Sequence, residues 1–407
     1  MNIWIINHYA IPPSMGGLVR HYYFSKYLTN KGHRVKIFTS SKIHNSEINI
    51  IKDKVLLKEE IIDGVEYSFI RSTEYKGNGF GRIFNIIEFP LRLFKVSKTI
   101  SKPDVIYTSS PDLFTALTAI LIAKKFKIKV VVEIRDLWPE SIVEYSKISK
   151  KNIIIKILYK LEKWIYKKAD KLVFTMSGGK NYIIDKGWNN VIDLNKIYQV
   201  NNGVDIDEFN INKENSILND IDLTDNTFKV IYMGSIRKVN HIISLVQAAR
   251  VLQERGFTDI KILIYGDGTE KKELEELSKR LELNNLKFKG FVEKKYVAGI
   301  LTSANVNVVH VQNTGLSKYG CSWNKLFEYM ASGKPILSNC PQEDDLINKY
   351  DCGISKYLEK PEEYADSILY FYNMEQEKYN KICTNALTAA REYDYKKLTN
   401  DIEKILN

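Results

Sequence analysis

Several short stretches concentrate residue types that bind or transfer charged groups. "EIRDLWPES" crowds Glu133, Arg135, Asp136 and Glu140 around the end of an apolar run. Ionisable groups in that position can act as a base or hold a hydroxyl; an Arg135–Asp136 ion pair beside a core Trp138 is the alternative. "GSIRK" sets Gly234 and Ser235 next to Arg237 and Lys238. A glycine turn with adjacent cations suits a diphosphate, because N–H groups and a guanidinium share its charge; an exposed basic turn would read the same way. "YGDG" places Gly266, Asp267 and Gly268 between an apolar run and a helical pattern. Lys271 stands where G-x-G-x-x-G requires its third glycine, which counts against nicotinamide or flavin and leaves a nucleoside-lining turn open.

"GCSWNKLFEYMASGKPIL" reads as a helix with Ser322 as cap, stopped by Gly333 and Pro335. Its first turn carries Lys325, where the helix macrodipole disfavours a cation. A phosphate held at that N-terminus would account for Lys325, and Glu328 one turn on is placed to accept hydrogen bonds from a sugar diol. Otherwise Lys325 and Glu328 form an i,i+3 pair worth roughly a few tenths of a kcal/mol. Near the N-terminus, Gly16-Gly17 precede an amphipathic helix, either as a ligand-approaching loop or as a plain strand-to-helix turn. No metal is expected: "DID" at 205–207 and 220–222 lies in or beside a polar stretch, and the six histidines lack paired ligand spacing.

The elements that must position these residues follow a βαβ rhythm of short Val/Ile/Phe runs and longer helical patterns. Strands are expected at 2–7, 34–40, 65–70, 104–108, 129–134 and 171–175, then at 228–234, 260–266, 286–290, 306–311 and 334–339. These make two Rossmann-like α/β halves, 1–205 and 226–385, with a linker at 206–225 and a C-terminal helix at 386–407 packing back toward the first half. Ligands of such sheets bind beyond the carboxyl ends of the strands, where the motifs above fall.

A length of 407 residues supports two or three domains, and 44% hydrophobic with 27% charged residues is the composition of a folded globular protein. The charge of +11 calls for an anionic partner: nucleic acid, acidic membrane or phosphate-bearing substrate. Basic residues spread over helices without aromatic interleaving argue against nucleic acid. The helix expected at 149–171 combines an apolar stripe (Ile154, Ile157, Leu158, Leu161, Ile165) with many lysines, and 81–98 is a second basic, aromatic-containing surface. Both suit an anionic membrane surface; a sheet-packed helix with a solvated basic face is the alternative. The four cysteines show no C-x-x-C spacing, no run reaches the roughly 18 apolar residues of a span, and no basic signal region leads the chain. A cytoplasmic protein, peripheral on the inner membrane face, is the expectation.

In order, the Gly-Gly loop, "EIRDLWPES", "NNGVD", "YGDG", "GFV" and "NKLFEYMASGKPIL" resemble a GT-B glycosyltransferase of family GT4, in the branch that builds bacterial capsule and O-antigen polysaccharides and includes N-acetylfucosamine-type transferases. The resemblance implies two Rossmann-like domains facing across a cleft and sugar transfer from a nucleotide-diphosphate sugar, UDP favoured. The acceptor would be an oligosaccharide or polyprenyl-diphosphate-linked sugar. It implies retention of configuration and no metal or other cofactor. Glu328 would meet the ribose, and the Gly266–Gly268 turn with Phe291 and Val292 the base. Gly234, Ser235, Arg237, Lys238, Ser322, Asn324, Lys325 and Leu326 complete the donor set, with Gly16 and Gly17 beside the reacting centre. Asp136, Arg135, Glu133 and Lys325 are the catalytic candidates. The family's paired glutamates would need one at position 320, where Gly320 stands, so charge neutralisation falls chiefly to Lys325. A nucleotide-sugar 2-epimerase on the same fold is the rival.

Overall fold

The computed structural model describes residues 1–407 except 45, 78, 111, 147, 216 and 217. The chain divides into two compact units, Met1–Asn201 with Tyr395–Asn407, and Asn202–Asp394.

The first unit holds strands β1 (Asn2–Ile6), β2 (Arg34–Ser40), β3 (Leu57–Ile62), β4 (Val65–Ile70), β5 (Val105–Ser110), β6 (Lys129–Ile134), β7 (Lys171–Phe174) and β8 (Ile197–Gln199). They form one sheet in the order β3-β4-β2-β1-β5-β6-β7-β8, parallel except for β3 against β4. Strand order reverses between β1 and β5, which makes their carboxyl ends the switch point of a doubly wound sheet. Val130, Val131 and Val132 are buried because helices cover both faces of a parallel sheet. Helix Leu113–Phe126 starts on Asp112, whose carboxylate accepts from Thr115 N at 2.7 Å. Helix Tyr395–Leu406 belongs to this unit and packs on helix Arg20–Asn30, with Tyr23 and Tyr395 stacked at 4.7 Å.

The second unit holds β9 (Phe228–Met233), β10 (Ile260–Tyr265), β11 (Leu286–Gly290), β12 (Val306–Val309), β13 (Ile336–Ser338) and β14 (Gly353–Ser355). All are parallel, in the order β11-β10-β9-β12-β13-β14, so the switch point lies between β9 and β12.

Strands β3, β8 and β14 were not foreseen. β3 reads "LKEEII", a charged edge strand with Ile61 exposed, and the other two have three residues each. Edge and very short strands carry no continuous apolar run to announce them. The expected linker carries helices Ile206–Asn215 and Ile221–Thr224, with 216 and 217 outside the described residues. Asp220, Asp222 and Asp225 there are ion-paired or hydrogen-bonded to Lys261, Lys287, Lys289 and Tyr265, a clamp fixing this segment to β10 and β11. Helix Ile153–Lys168 departs from its expected stripe: it buries Ile155, Leu158, Glu162, Ile165 and Tyr166, while Ile154 and Ile157 are exposed. Its register is set by Glu162, which accepts from Tyr182 OH at 3.1 Å and is pushed up to about 8 by burial. A protonated carboxyl can occupy a core that a carboxylate cannot.

Candidate active site

In the second unit the loops that follow β9 and β10 run together. Gly234 N donates to Tyr265 O at 3.0 Å, Ile236 N to Asp267 O at 2.8 Å, and Glu270 N to Ile236 O at 3.1 Å. A Cβ on Gly266 would stand 1.8 Å from Gly234 O, and one on Gly268 2.2 Å from Ile236 O. The "YGDG" glycines therefore serve loop-on-loop packing, with Asp267 exposed at the turn.

Gly234 is glycine for a different reason. At φ 155° its missing Cβ would lie 2.9 Å from Lys325 Nζ and 3.1 Å from Tyr232 OH, so its absence leaves the space the ammonium occupies. Lys325 is part-buried, donates to Tyr232 OH at 3.2 Å and lies 4.5 Å from the Tyr232 ring centre. Among the described residues no carboxylate pairs with it, and desolvation pushes its ammonium down to about 8. The i,i+3 pair does not form, because Glu328 is ion-paired to Lys294 of helix Lys294–Thr302. Burial also pushes Lys294 down to about 8.

Helix Asn324–Ala331 sets Lys325 in its first turn, but Ser322 does not cap it. The Ser322 hydroxyl accepts from Asn202 N at 2.8 Å, and the Asn202 amide donates to Ser322 O, so the "NNGVD" loop is tied to the approach of the helix. Gly333 ends the helix at φ 65°, as its position predicts. Leu326, expected in the donor set, is buried and anchors the helix instead.

Three side chains that sequence reasoning passed over shape this edge. Tyr329 OH donates to Met233 O and accepts from Met233 N, both at 3.0 Å, locking the helix to the end of β9. Tyr232 supports the ammonium. His310, at the end of β12, donates from Nδ1 to Asn240 O at 2.8 Å in the tautomer that interaction requires. Burial pushes it down to about 3, so it is neutral, and its buried Nε2 has no partner among the described residues. Asn324 Oδ1 is likewise buried and unpartnered. Spacing gave no signal for any of them, since a Tyr or His at a strand end looks like core.

Gly234 and His310 thus flank the switch point, beside a cation that no carboxylate pairs and acceptor atoms that have no donors among the described residues. Arg237 and Lys238 are exposed nearby, Ser235 Oγ donates to Asn240 Oδ1 at 3.0 Å, and Phe291, exposed, and Val292 follow β11. The arrangement can neutralise an anion at the helix N-terminus and offer hydrogen bonds to hydroxyls.

In the first unit Glu133 is not an available base. It is fully buried at the end of β6 and accepts from Arg20 Nε at 2.7 Å, His21 Nε2 at 3.1 Å, Ser109 Oγ at 2.7 Å and Tyr107 OH. These donors hold its carboxyl well below the usual range, Arg20 foremost, against the desolvation that opposes them. Arg20 also donates to Val200 O at 2.8 Å and to Asn201 O, so the cluster joins β6, helix Arg20–Asn30 and the chain after β8. Glu133→Ala strands Arg20 uncompensated in the core and should cost about 3–5 kcal/mol. A denaturant titration reads this; a variant as stable as the parent would return Glu133 to the catalytic candidates.

Glu140 is committed too, to Lys150 at 2.6 Å, Lys186 and Tyr159, and these partners hold it down to about 2. Asp136 and Arg135 differ. Asp136 is exposed just beyond β6, Arg135 is part-buried, and neither side chain makes a hydrogen bond or ion pair among the described residues. The Arg135–Asp136 pair is therefore not formed. Gly16 and Gly17 lie between the turn Pro13–Met15 and helix Arg20–Asn30; a Cβ on Gly17 would meet nothing within 4 Å.

Residues 15–208 match the family model described as Glycosyltransferase Family 4, and residues 214–388 the model described as Glycosyl transferases group 1. No curated protein matches the sequence. Among solved structures, sucrose-phosphate synthase from Thermosynechococcus elongatus is similar at TM-score 0.74 and 16% identity, over 99% of this chain and 98% of that one. Anabaena HepE in complex with UDP gives 0.70 and 14%, over 100% and 99%. An E. coli trehalose-6-phosphate structure bound with UDP-2-fluoro glucose gives 0.75 and 11%, over 100% and 99%. At these identities the likeness is one of fold: two doubly wound α/β domains.

Proposed function

The chain is a GT-B glycosyltransferase of the group 1, GT4-like kind, and on that premise we propose that it moves a sugar from a UDP-sugar to a saccharide acceptor. The acceptor is an oligosaccharide or a polyprenyl-diphosphate-linked sugar of a bacterial surface polysaccharide, of the capsule or O-antigen type. Lys325 carries this reading: a part-buried ammonium with no carboxylate partner among the described residues, in the first turn of a helix at a sheet switch point. A diphosphate is the anion whose charge grows as the sugar departs, and a preplaced cation stabilises that change without reorganising. Solved structures of the same fold that hold UDP or UDP-2-fluoro glucose support uridine as the base.

Asp136 is the group that receives or orients the acceptor hydroxyl, with Arg135 positioning it. The transfer retains anomeric configuration and needs no metal. Arg237 and Lys238 add charge to the diphosphate, and His310 Nε2 and Asn324 Oδ1 accept from donor hydroxyls.

Thermal shift against UDP, GDP, dTDP and ADP with EDTA present tests the donor half. A diphosphate at about a hundred times its dissociation constant adds roughly 2.7 kcal/mol of stability. UDP is expected to raise the melting temperature selectively; equal response to all four would overturn the choice of base. Product analysis tests the reaction, since conversion of donor to its epimer without acceptor would replace transfer by 2-epimerisation.

A further inference from the structure

Helix Phe80–Val96 of the first unit is apolar on its outer side as well as its inner one, which a helix facing water is not. It buries Phe89, Pro90, Leu93 and Val96 together with polar Asn85 and Glu88, and it also exposes Phe80, Ile83, Phe84, Ile87 and Leu91, spaced i, i+3, i+4, i+7 and i+11. Polar partners as well as packing fix which side faces inward. Asn85 accepts from His8 Nε2 at 2.6 Å, and Glu88 accepts from Thr73 N at 2.7 Å and pairs with Arg92. The inner side is thus held by specific partners, and Phe80 remains 91% and Leu91 67% exposed.

The neighbouring helices extend this surface. Phe80–Val96 packs on Leu113–Phe126, which packs on Ile153–Lys168. They expose Leu121 from the middle helix and Ile153, Ile154 and Ile157 from the third. The charge of the layer has one sign. Apart from Glu88 and Glu162, both buried, every charged residue of the three helices is Lys or Arg. Glu162 is held neutral at pH 7 by burial, and Glu88 is cancelled by Arg92. Among the described residues no helix is long and apolar enough to cross a membrane.

We propose that the outer face of these three helices docks on an anionic phospholipid bilayer, with Phe80, Phe84, Ile87, Leu91 and Ile153 entering the acyl boundary. Their Lys and Arg neighbours meet the headgroups. Charge decides for this occupant. A second copy of the same face would oppose lysines with lysines, whereas an anionic surface complements them. The inference deepens the lipid-linked acceptor reading and rests on it only for its purpose; the surface itself is read from burial and charge.

Co-sedimentation of the full chain with phosphatidylcholine vesicles, with and without phosphatidylglycerol, is the test, run beside the UDP melting shift. The parent is expected to sediment with the anionic vesicles only. Binding should weaken between about 0.1 and about 0.5 M salt. It should fall at least tenfold in Phe84→Ser/Ile87→Ser, and in Lys156→Glu/Lys160→Glu, with the UDP shift kept in both. Equal binding to neutral vesicles, or no vesicle binding with a dimer that Phe84→Ser/Ile87→Ser dissociates, would overturn the proposal. Loss of the UDP shift in the parent would instead sink the donor reading and leave this face standing.

Discussion

Lys325→Met is expected to abolish the melting-temperature gain from UDP and to lower kcat/KM by about 10²–10³, the cost of one preorganised charge-stabilising group. Its effect on the unliganded protein should run the other way. An ammonium pushed from 10.5 down to about 8 marks a desolvation cost of about 3 kcal/mol at neutral pH, offset in part by the Tyr232 ring. Removing the charge while keeping the side-chain volume should therefore leave the empty protein at least as stable as the parent. The sign with pH follows. Between about 8 and 10.5 the unfolded chain holds a proton that folded Lys325 has released, so this residue's contribution to stability rises with pH. UDP affinity falls over the pH range above 8, as the ammonium discharges, and Lys325→Met loses that dependence. A variant that melts lower and still binds UDP would make Lys325 a structural partner of Tyr232.

Asp136→Asn should lower kcat by about 10²–10⁴, the range for losing a positioned proton acceptor, with the UDP melting shift unchanged. The second half of that statement separates chemistry from folding. The Asp136 carboxylate supports no neighbouring group, so replacing it with an amide of the same shape leaves no buried atom unpaired. Glu133, three residues earlier in the same motif, offers the contrast: its loss is felt in stability because four donors converge on it. If Asp136→Asn keeps activity within about fivefold of the parent, the proton acceptor lies elsewhere.

Much of the fold was legible. Eleven strands lay close to their expected places, because strands of a parallel sheet are apolar on both faces and stand out as Val/Ile runs. The position of the candidate site was legible for a related reason: turn glycines and a helix start follow such runs, and these mark the carboxyl edge. Lys325 was visible as a cation at the wrong end of a helix.

The sequence by itself determined the two-sheet architecture, the carboxyl edge on which the candidate site residues fall and the anomalous lysine, since each rests on local periodicity or spacing. Tertiary structure alone decided which charges are free. Glu133 and Asp136 lie three residues apart and read alike, yet one points into the sheet toward Arg20 and His21 and the other out beyond the strand end. Glu328 chose Lys294 over Lys325 because a helix distant in sequence packs beside it. Helix Phe80–Val96 packs Phe89 and Leu93 inward but leaves Phe80, Ile83, Phe84, Ile87 and Leu91 outward, because His8 and Thr73, on other elements, hold Asn85 and Glu88 on its inner side. A side chain's type is local information, but its partner is supplied by whatever the fold brings within about 3 Å, and only the partner decides whether a charge is spent in the core or available for chemistry.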